Sequence, residues 1–170
     1  KLKYTIMKRT LSIISLFSVL LTACIGDPGP PGFDGEDGGL IVADAFRITN
    51  VNFTDGNGYQ ETFDGFNFIE SDVALVYIKW ILDNGTVTWR QLPQTVFFNS
   101  GILIYNFDFT QDTVTFFLDG TVDFNTLSNT WTQNQEFRVV IVPASQVNGV
   151  DTTDLNTVIN LGNIESFELR

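Results

Sequence analysis

Chemistry in this chain would have to be done with carboxylates, amides, hydroxyls and indoles, because the commonest catalytic side chains are missing. The 170 residues contain no histidine and a single cysteine, Cys24. That removes Ser-His-Asp and Cys-His catalysis, imidazole acid–base work and nearly every catalytic zinc site. Beyond residue 23 the one lysine is Lys79, with no phosphate-binding loop before it, and Gly56-Asn57-Gly58 lacks the third glycine of a dinucleotide fingerprint. Two carboxylates held about 5–10 Å apart would suffice to hydrolyse a glycoside. Most Asp and Glu residues sit in turn sequences instead, and Asp108, between Phe107 and Phe109, is the one candidate for a half-buried catalytic acid. An enzyme is not expected.

Binding is better provided for. Asp55-Gly56-Asn57-Gly58 and Asp34-Gly35-Glu36-Asp37 set oxygen ligands close together on flexible backbone, which suits calcium, although neither has the spacing of an EF-hand loop. Asp55 and Asn57 are therefore candidate metal ligands, against the ordinary reading of such sequences as turns. No other cofactor is expected. Three tryptophans raise the prospect of sugar stacking. A tryptophan in a small sandwich usually packs in the core, and Trp80 is expected there. Trp89, beside Arg90, and Trp131, in the polar stretch 129–135, are the candidates for ligand-binding indoles. Lys79 is expected near a strand end with its ammonium in water, or, in the sharper version, paired with Glu70 or Asp72.

The N-terminal segment has a different logic. Met7-Lys8-Arg9 precedes an apolar run that ends in Leu21-Thr22-Ala23-Cys24. Two cations, a short apolar stretch and small residues before a break make a secretory signal over residues 1–23, with Met7 expected as the true start. The run is too short for a transmembrane helix, which needs roughly 20 apolar residues, and Ser12, Ser15, Ser18 and Thr22 interrupt it. Leu21, Thr22, Ala23 and Cys24 resemble a bacterial lipobox. That resemblance implies cleavage before Cys24 and its diacylation, so that a lipid anchors the chain to a membrane leaflet outside the cytosol.

Glycine then recurs at every third position through Gly26, Gly29, Gly32, Gly35 and Gly38, which resembles a collagen repeat. Residues 24–38 are expected to form an extended stalk holding the domain roughly 40 Å off the lipid surface. A short triple helix that registers three chains through Gly26–Gly38 is the alternative. Without residues 1–23 the chain keeps five Lys and Arg against twenty acids, a net charge of −15. Such a surface repels phosphate backbones, so nucleic acid is excluded as a partner. No thiol remains beyond Cys24 to form a disulfide, and stability has to come from a hydrophobic core.

Residues 39–170 supply that core. Apolar and β-branched runs at 40–54, 59–63, 72–82, 86–92, 94–99, 102–110, 113–118, 121–124 and 136–143 alternate with turns rich in Asp, Asn and Gly. This spacing predicts an all-β fold, an antiparallel β-sandwich of about seven to nine strands. Leu103, Tyr105, Phe107 and Phe109 share one face and predict a core strand along its whole length; Val114, Phe116 and Leu118, and Phe137, Val139 and Ile141, do the same. The run at 73–82 is apolar on both faces except at Lys79, so it should be covered on both sides. One short C-terminal helix is predicted after a capping arrangement over Asp151 to Asp154, with Leu155, Val158 and Ile159 at helical spacing and Gly162-Asn163 as its stop. It should cover an open end or edge of the sheet, and Ile164 to Leu169 add a last strand.

Taken together, Cys24, the glycine triplets and the segments Leu92-Pro93-Gln94-Thr95-Val96, Tyr105-Asn106-Phe107-Asp108-Phe109-Thr110 and Thr132-Gln133-Asn134-Gln135 resemble a group of predicted lipoproteins of flavobacteria and their relatives. The group combines a lipobox, a short collagen-like tract and a β-rich C-terminal domain. It has no established activity and supplies no catalytic or binding residue. In such bacteria Asp112-Thr113-Val114 and Asp151-Thr152-Thr153 also resemble short O-glycosylation acceptors. The function expected from all this is a lipid-anchored protein of the outer membrane or cell surface, structural or interacting in role. The alternative is a carbohydrate- or calcium-dependent ligand-binding module of the envelope. A carboxylate-dependent hydrolase ranks third. Surface and periplasmic orientations stay open at this point, as does the protein or glycan partner.

Overall fold

The computed structural model describes residues 43–170. The expected lipobox from Leu21 to Cys24, the glycine triplets and the acidic run Asp34–Asp37 lie outside them. Nine strands form two sheets. One is built from β1 (Asp44–Val51), β3 (Asp72–Ile81), β4 (Val87–Gln91), β8 (Gln135–Pro143) and β9 (Glu168–Leu169), in the order β4-β3-β8-β1-β9. The other is built from β2 (Gln60–Asp64), β5 (Gln94–Phe98), β6 (Gly101–Phe109) and β7 (Thr113–Gly120), in the order β2-β7-β6-β5. Every paired neighbour is antiparallel except β9, which lies parallel to β1. The fold is the expected all-β sandwich with a short C-terminal helix.

Side-chain alternation explains why the two sheets meet. Phe137, Val139 and Ile141 of β8, Val76 and Ile78 of β3, and Phe46 and Ile48 of β1 point into the space between the sheets. Leu103 and Tyr105 of β6 and Val114, Phe116 and Leu118 of β7 meet them from the opposite side. Phe116 and Phe137 stack across the interface with ring centroids 4.2 Å apart. Their complete burial removes two of the largest apolar surfaces in the chain from water, about 2–3 kcal/mol each.

The same alternation leaves a second apolar face. Leu75 and Tyr77 of β3 and Val140 and Val142 of β8 point outward from the five-stranded sheet, and all four are buried. The helix that covers them is α2 (Leu155–Leu161), preceded in the chain by a single-turn helix, α1 (Asn129–Thr132). Leu155 and Val158 pack onto that face, Asp154 caps the helix by accepting from the Asn156 N–H at 3.0 Å, and Gly162 ends it. The helix thus covers a sheet face, not the open end or edge expected. Four outward apolar side chains on interior strands need a second layer, and a short amphipathic helix supplies it.

Three further expectations change. Residues 121–124 form no strand: β7 runs on to Gly120, the Thr121 and Val122 N–H groups turn back onto the Ile102 carbonyl, and Asp123 caps a 3-10 turn over Phe124–Thr126. Phe109 is 44% exposed despite sharing a face with Leu103, because the β5–β6 ladder stops at Gln94–Tyr105 and leaves the end of β6 on the sheet edge; its ring rests on Phe68. Lys79 pairs with neither Glu70 nor Asp72 but with Glu136, at 2.8 Å. The β3–β8 register sets Ile78 opposite Phe137, which brings the next outward residues of both strands together.

Candidate functional site

A pocket of about 380 Å³ opens at one end of the sandwich, where β3 outlives its partner. The β3–β8 ladder stops at Ile78–Phe137, whereas β3 continues through Lys79, Trp80 and Ile81 against β4 alone. Trp80 follows Val76 and Ile78 on the inward face but lies beyond the last β3–β8 pair, and it stays half-buried. It packs against the inter-sheet core, as the sequence leads one to expect, and also forms part of the pocket wall, with its Nε1 buried and without an acceptor among the described residues.

The opposite wall comes from α1 and the chain leading into β8. Trp131 meets Trp80 edge-on with centroids 5.7 Å apart and packs edge-on against Phe98 at 5.3 Å. Tyr105 closes the floor, 6.3 Å from Trp80. Its hydroxyl donates to the Trp131 carbonyl at 2.7 Å, and burial pushes the phenol pKa above its usual range. The segment is tied down further by the Phe53 N–H donating to the Thr132 carbonyl at 2.7 Å and the Asn134 N–H to the Asn52 side chain at 3.0 Å. Gln135 donates to the carbonyls of Thr130 at 3.0 Å and Gln133 at 2.8 Å. A loop fixed at so many points presents its amides in a set arrangement.

Polar lining comes from Thr130, Gln133, Asn134 and Gln135. The lining holds one carboxylate, Glu136, and it is engaged: Oε1 accepts from Arg47 Nε at 2.5 Å and Oε2 from Lys79 Nζ at 2.8 Å. Burial alone would raise its pKa, but those two cations outweigh it and hold the carboxyl below its ordinary value. The lining thus pairs two half-buried indoles, with the Tyr105 ring buried beneath them, and neutral amides, a composition that suits a sugar ring or a similar polar ring.

The other expected site residues lie elsewhere. Trp89 pairs with Lys79 on the outer face of the five-stranded sheet, where Arg138 covers its ring; Trp131 lies at the inner, open end. The two indoles expected to bind are therefore not one platform. Asp55 and Asn57 fall in an exposed 3-10 turn. There Asn57 Oδ1 accepts from the Thr54 N–H at 2.9 Å and Nδ2 donates to the Asn52 carbonyl at 2.7 Å, so its amide already serves the turn. Among the described residues no three His, Cys, Asp or Glu side chains cluster as metal ligands would. Asp108 is exposed on the outer face of β6, opposite Thr115, without the half-burial a catalytic acid needs. Tyr105, Gln133 and Asn134 were not foreseen as pocket residues. Their one sequence signal was the density of amides around Trp131. Compared with known proteins, the chain matches no family model, and no curated protein or solved structure matches it.

Proposed function

We propose that this chain is a lipid-anchored envelope protein whose β-sandwich is a non-catalytic ligand-binding module, taking a neutral sugar or a polar ring of that size in the Trp80–Tyr105–Trp131 pocket. One observation carries the reading. Two indoles and a phenol line a concave site whose polar groups are amides and a hydroxyl, with the one carboxylate neutralised by Arg47 and Lys79. Indole faces take the apolar face of a pyranose, and amide oxygens accept from its hydroxyls. Cys24 and the stalk would hold this site above the leaflet, facing outward or toward the periplasm.

The test is tryptophan fluorescence of the full chain titrated with a panel of neutral mono- and disaccharides. At least one sugar is expected to quench saturably, and Trp131→Ala to abolish the response while the circular dichroism spectrum stays unchanged. No saturable quenching across the panel, or quenching that survives Trp131→Ala, refutes the reading.

A second reading is an interaction role with no small ligand. It is favoured by the outer face of the four-stranded sheet, where Phe97 is 77% exposed and its cross-strand partner Ile102 is half-buried. If three chains associate, as the glycine triplets would allow, sedimentation velocity should show a trimer that Phe97→Lys weakens. A monomer at all concentrations would dismiss it.

A further inference from the structure

We infer a second binding site, for the carboxylate or phosphate group of a small ligand, on the outer face of the five-stranded sheet at Arg138 and Arg47. It uses other residues than the aromatic pocket. Arg47 of β1 and Arg138 of β8 are register partners, so their side chains rise side by side. Like charges directly opposite each other on a sheet are destabilising. Here Glu136 stands nearby, with both its oxygens taken by Arg47 and Lys79. Arg138 has no carboxylate partner among the described residues, and its Nε is buried without an acceptor. Burial and the charge of Arg47 both lower its pKa, with Glu136 opposing them, yet a guanidinium keeps its proton.

Two aromatic rings hold this group in place. The Arg138 guanidinium carbon lies 4.1 Å from the Trp89 ring centroid and 4.4 Å from that of Phe167. A guanidinium plane fixed against rings loses little freedom when its fork engages a planar oxyanion, and Arg forms such bidentate pairs where Lys acts as a point charge. The setting sharpens the contrast. The described residues hold sixteen acids and five cations, and three of those cations, Arg47, Lys79 and Arg138, gather around one acid. An incoming oxyanion would satisfy Arg138 and relieve its repulsion with Arg47.

The experiment follows side-chain NMR signals of the full chain during titration with sodium glucuronate or inorganic phosphate, with sodium chloride at matched ionic strength as the control. The Trp89 indole N–H and Arg138 Nε–H resonances are expected to shift saturably with at least one oxyanion and not with chloride. Saturation by glucuronate alone identifies a carboxylate ligand, by phosphate alone a phosphate ester, and by both an oxyanion site without selectivity; each supports the site. Arg138→Lys keeps the charge and loses the fork, and should weaken binding roughly tenfold, the loss expected for one charged hydrogen bond. Arg47→Gln, at a more exposed position, leaves the Trp89–Arg138–Phe167 contacts in place and should also weaken it. If Arg138→Lys does not fold, Arg47→Gln decides alone. The site is refuted if neither oxyanion saturates beyond the chloride effect, or if the folded variants bind as tightly as the wild type.

Discussion

Replacing Tyr105 by Phe removes one oxygen atom and tests the pocket, the core and a pH dependence together. The ring is 1% exposed and would stay packed against Phe53 and Trp80. What goes is the hydrogen bond from its hydroxyl to the Trp131 carbonyl, 2.7 Å long and partly buried. A carbonyl left without a donor in such a place costs about 1–2 kcal/mol, the lower part of the range for an orphaned buried group. Urea denaturation at pH 7, followed by far-ultraviolet circular dichroism, should show a lower midpoint at unchanged slope. The alkaline limb separates this mechanism from loose packing. Burial raises the Tyr105 pKa, whereas a tyrosine in the unfolded chain titrates near pH 10. Its contribution is therefore complete below about pH 10. Above that the unfolded chain releases a proton that the folded chain keeps, and stability falls by up to ~1.4 kcal/mol per pH unit until the folded pKa is passed. The variant lacks this loss, so its deficit at pH 7 should close by about pH 11. Tyr77, whose pKa is raised by burial and then by the charges of Asp154 and Asp151, remains in both proteins and sets their common slope. A deficit that stays constant from pH 8 to pH 11, or no deficit at pH 7, would refute the reasoning.

Phe116→Ala empties the centre of the core beside Phe137 and should cost about 3–5 kcal/mol, read as a lowered urea midpoint; a loss under 1 kcal/mol would mean that the two sheets close over the cavity. Gly120→Ala should cost more than Gly85→Ala, although both glycines have positive φ, because a Cβ at Gly120 would lie 2.0 Å from the Ile102 carbonyl oxygen while one at Gly85 meets nothing within 4 Å. Equal thermal midpoints for the two variants would contradict the close approach of β6 and β7. Glu136→Gln removes the acceptor shared by Arg47 and Lys79. Since the folded pKa of Glu136 is lowered, its contribution is complete above the ordinary carboxylate range and is lost as pH falls through the folded value. The variant should accordingly be less stable at pH 7 and approach the wild type near pH 3, with a constant gap counting against the ion cluster.

The strands and turns were legible because their causes are local. Leu103 and Tyr105, or Phe137, Val139 and Ile141, reveal a buried face by alternation alone, and Asp154 with Leu155 and Val158 reveals a capped helix within one turn of chain. The misplaced features all depend on where an element stops relative to one distant in sequence. Phe109 continues an apolar face, yet β5 stops pairing with β6 at Tyr105 and leaves it on the sheet edge. Residues 121–124 look like a strand, but their N–H groups are claimed by Ile102. The oxyanion clamp was invisible for the same reason: Arg138, Trp89 and Phe167 come from three separate strands and loops.

By itself, then, the sequence determined the fold class, most strand positions, the capped helix and the absence of histidine and thiol chemistry from residues 43–170, because period-two alternation, turn residues and composition act over a few neighbours. It also carries a run that resembles a lipobox, and the glycine triplets, as patterns of residues. Only the tertiary structure decided which strands neighbour one another, that the helix lies on a sheet face, and that Trp80 and Trp131, not Trp89 and Trp131, share a pocket. Those outcomes rest on register and on the termination of pairing between distant segments. The β3–β8 ladder ends at Ile78 and Phe137, and nothing within several residues of Trp80 records that its pairing with β8 stops just before it.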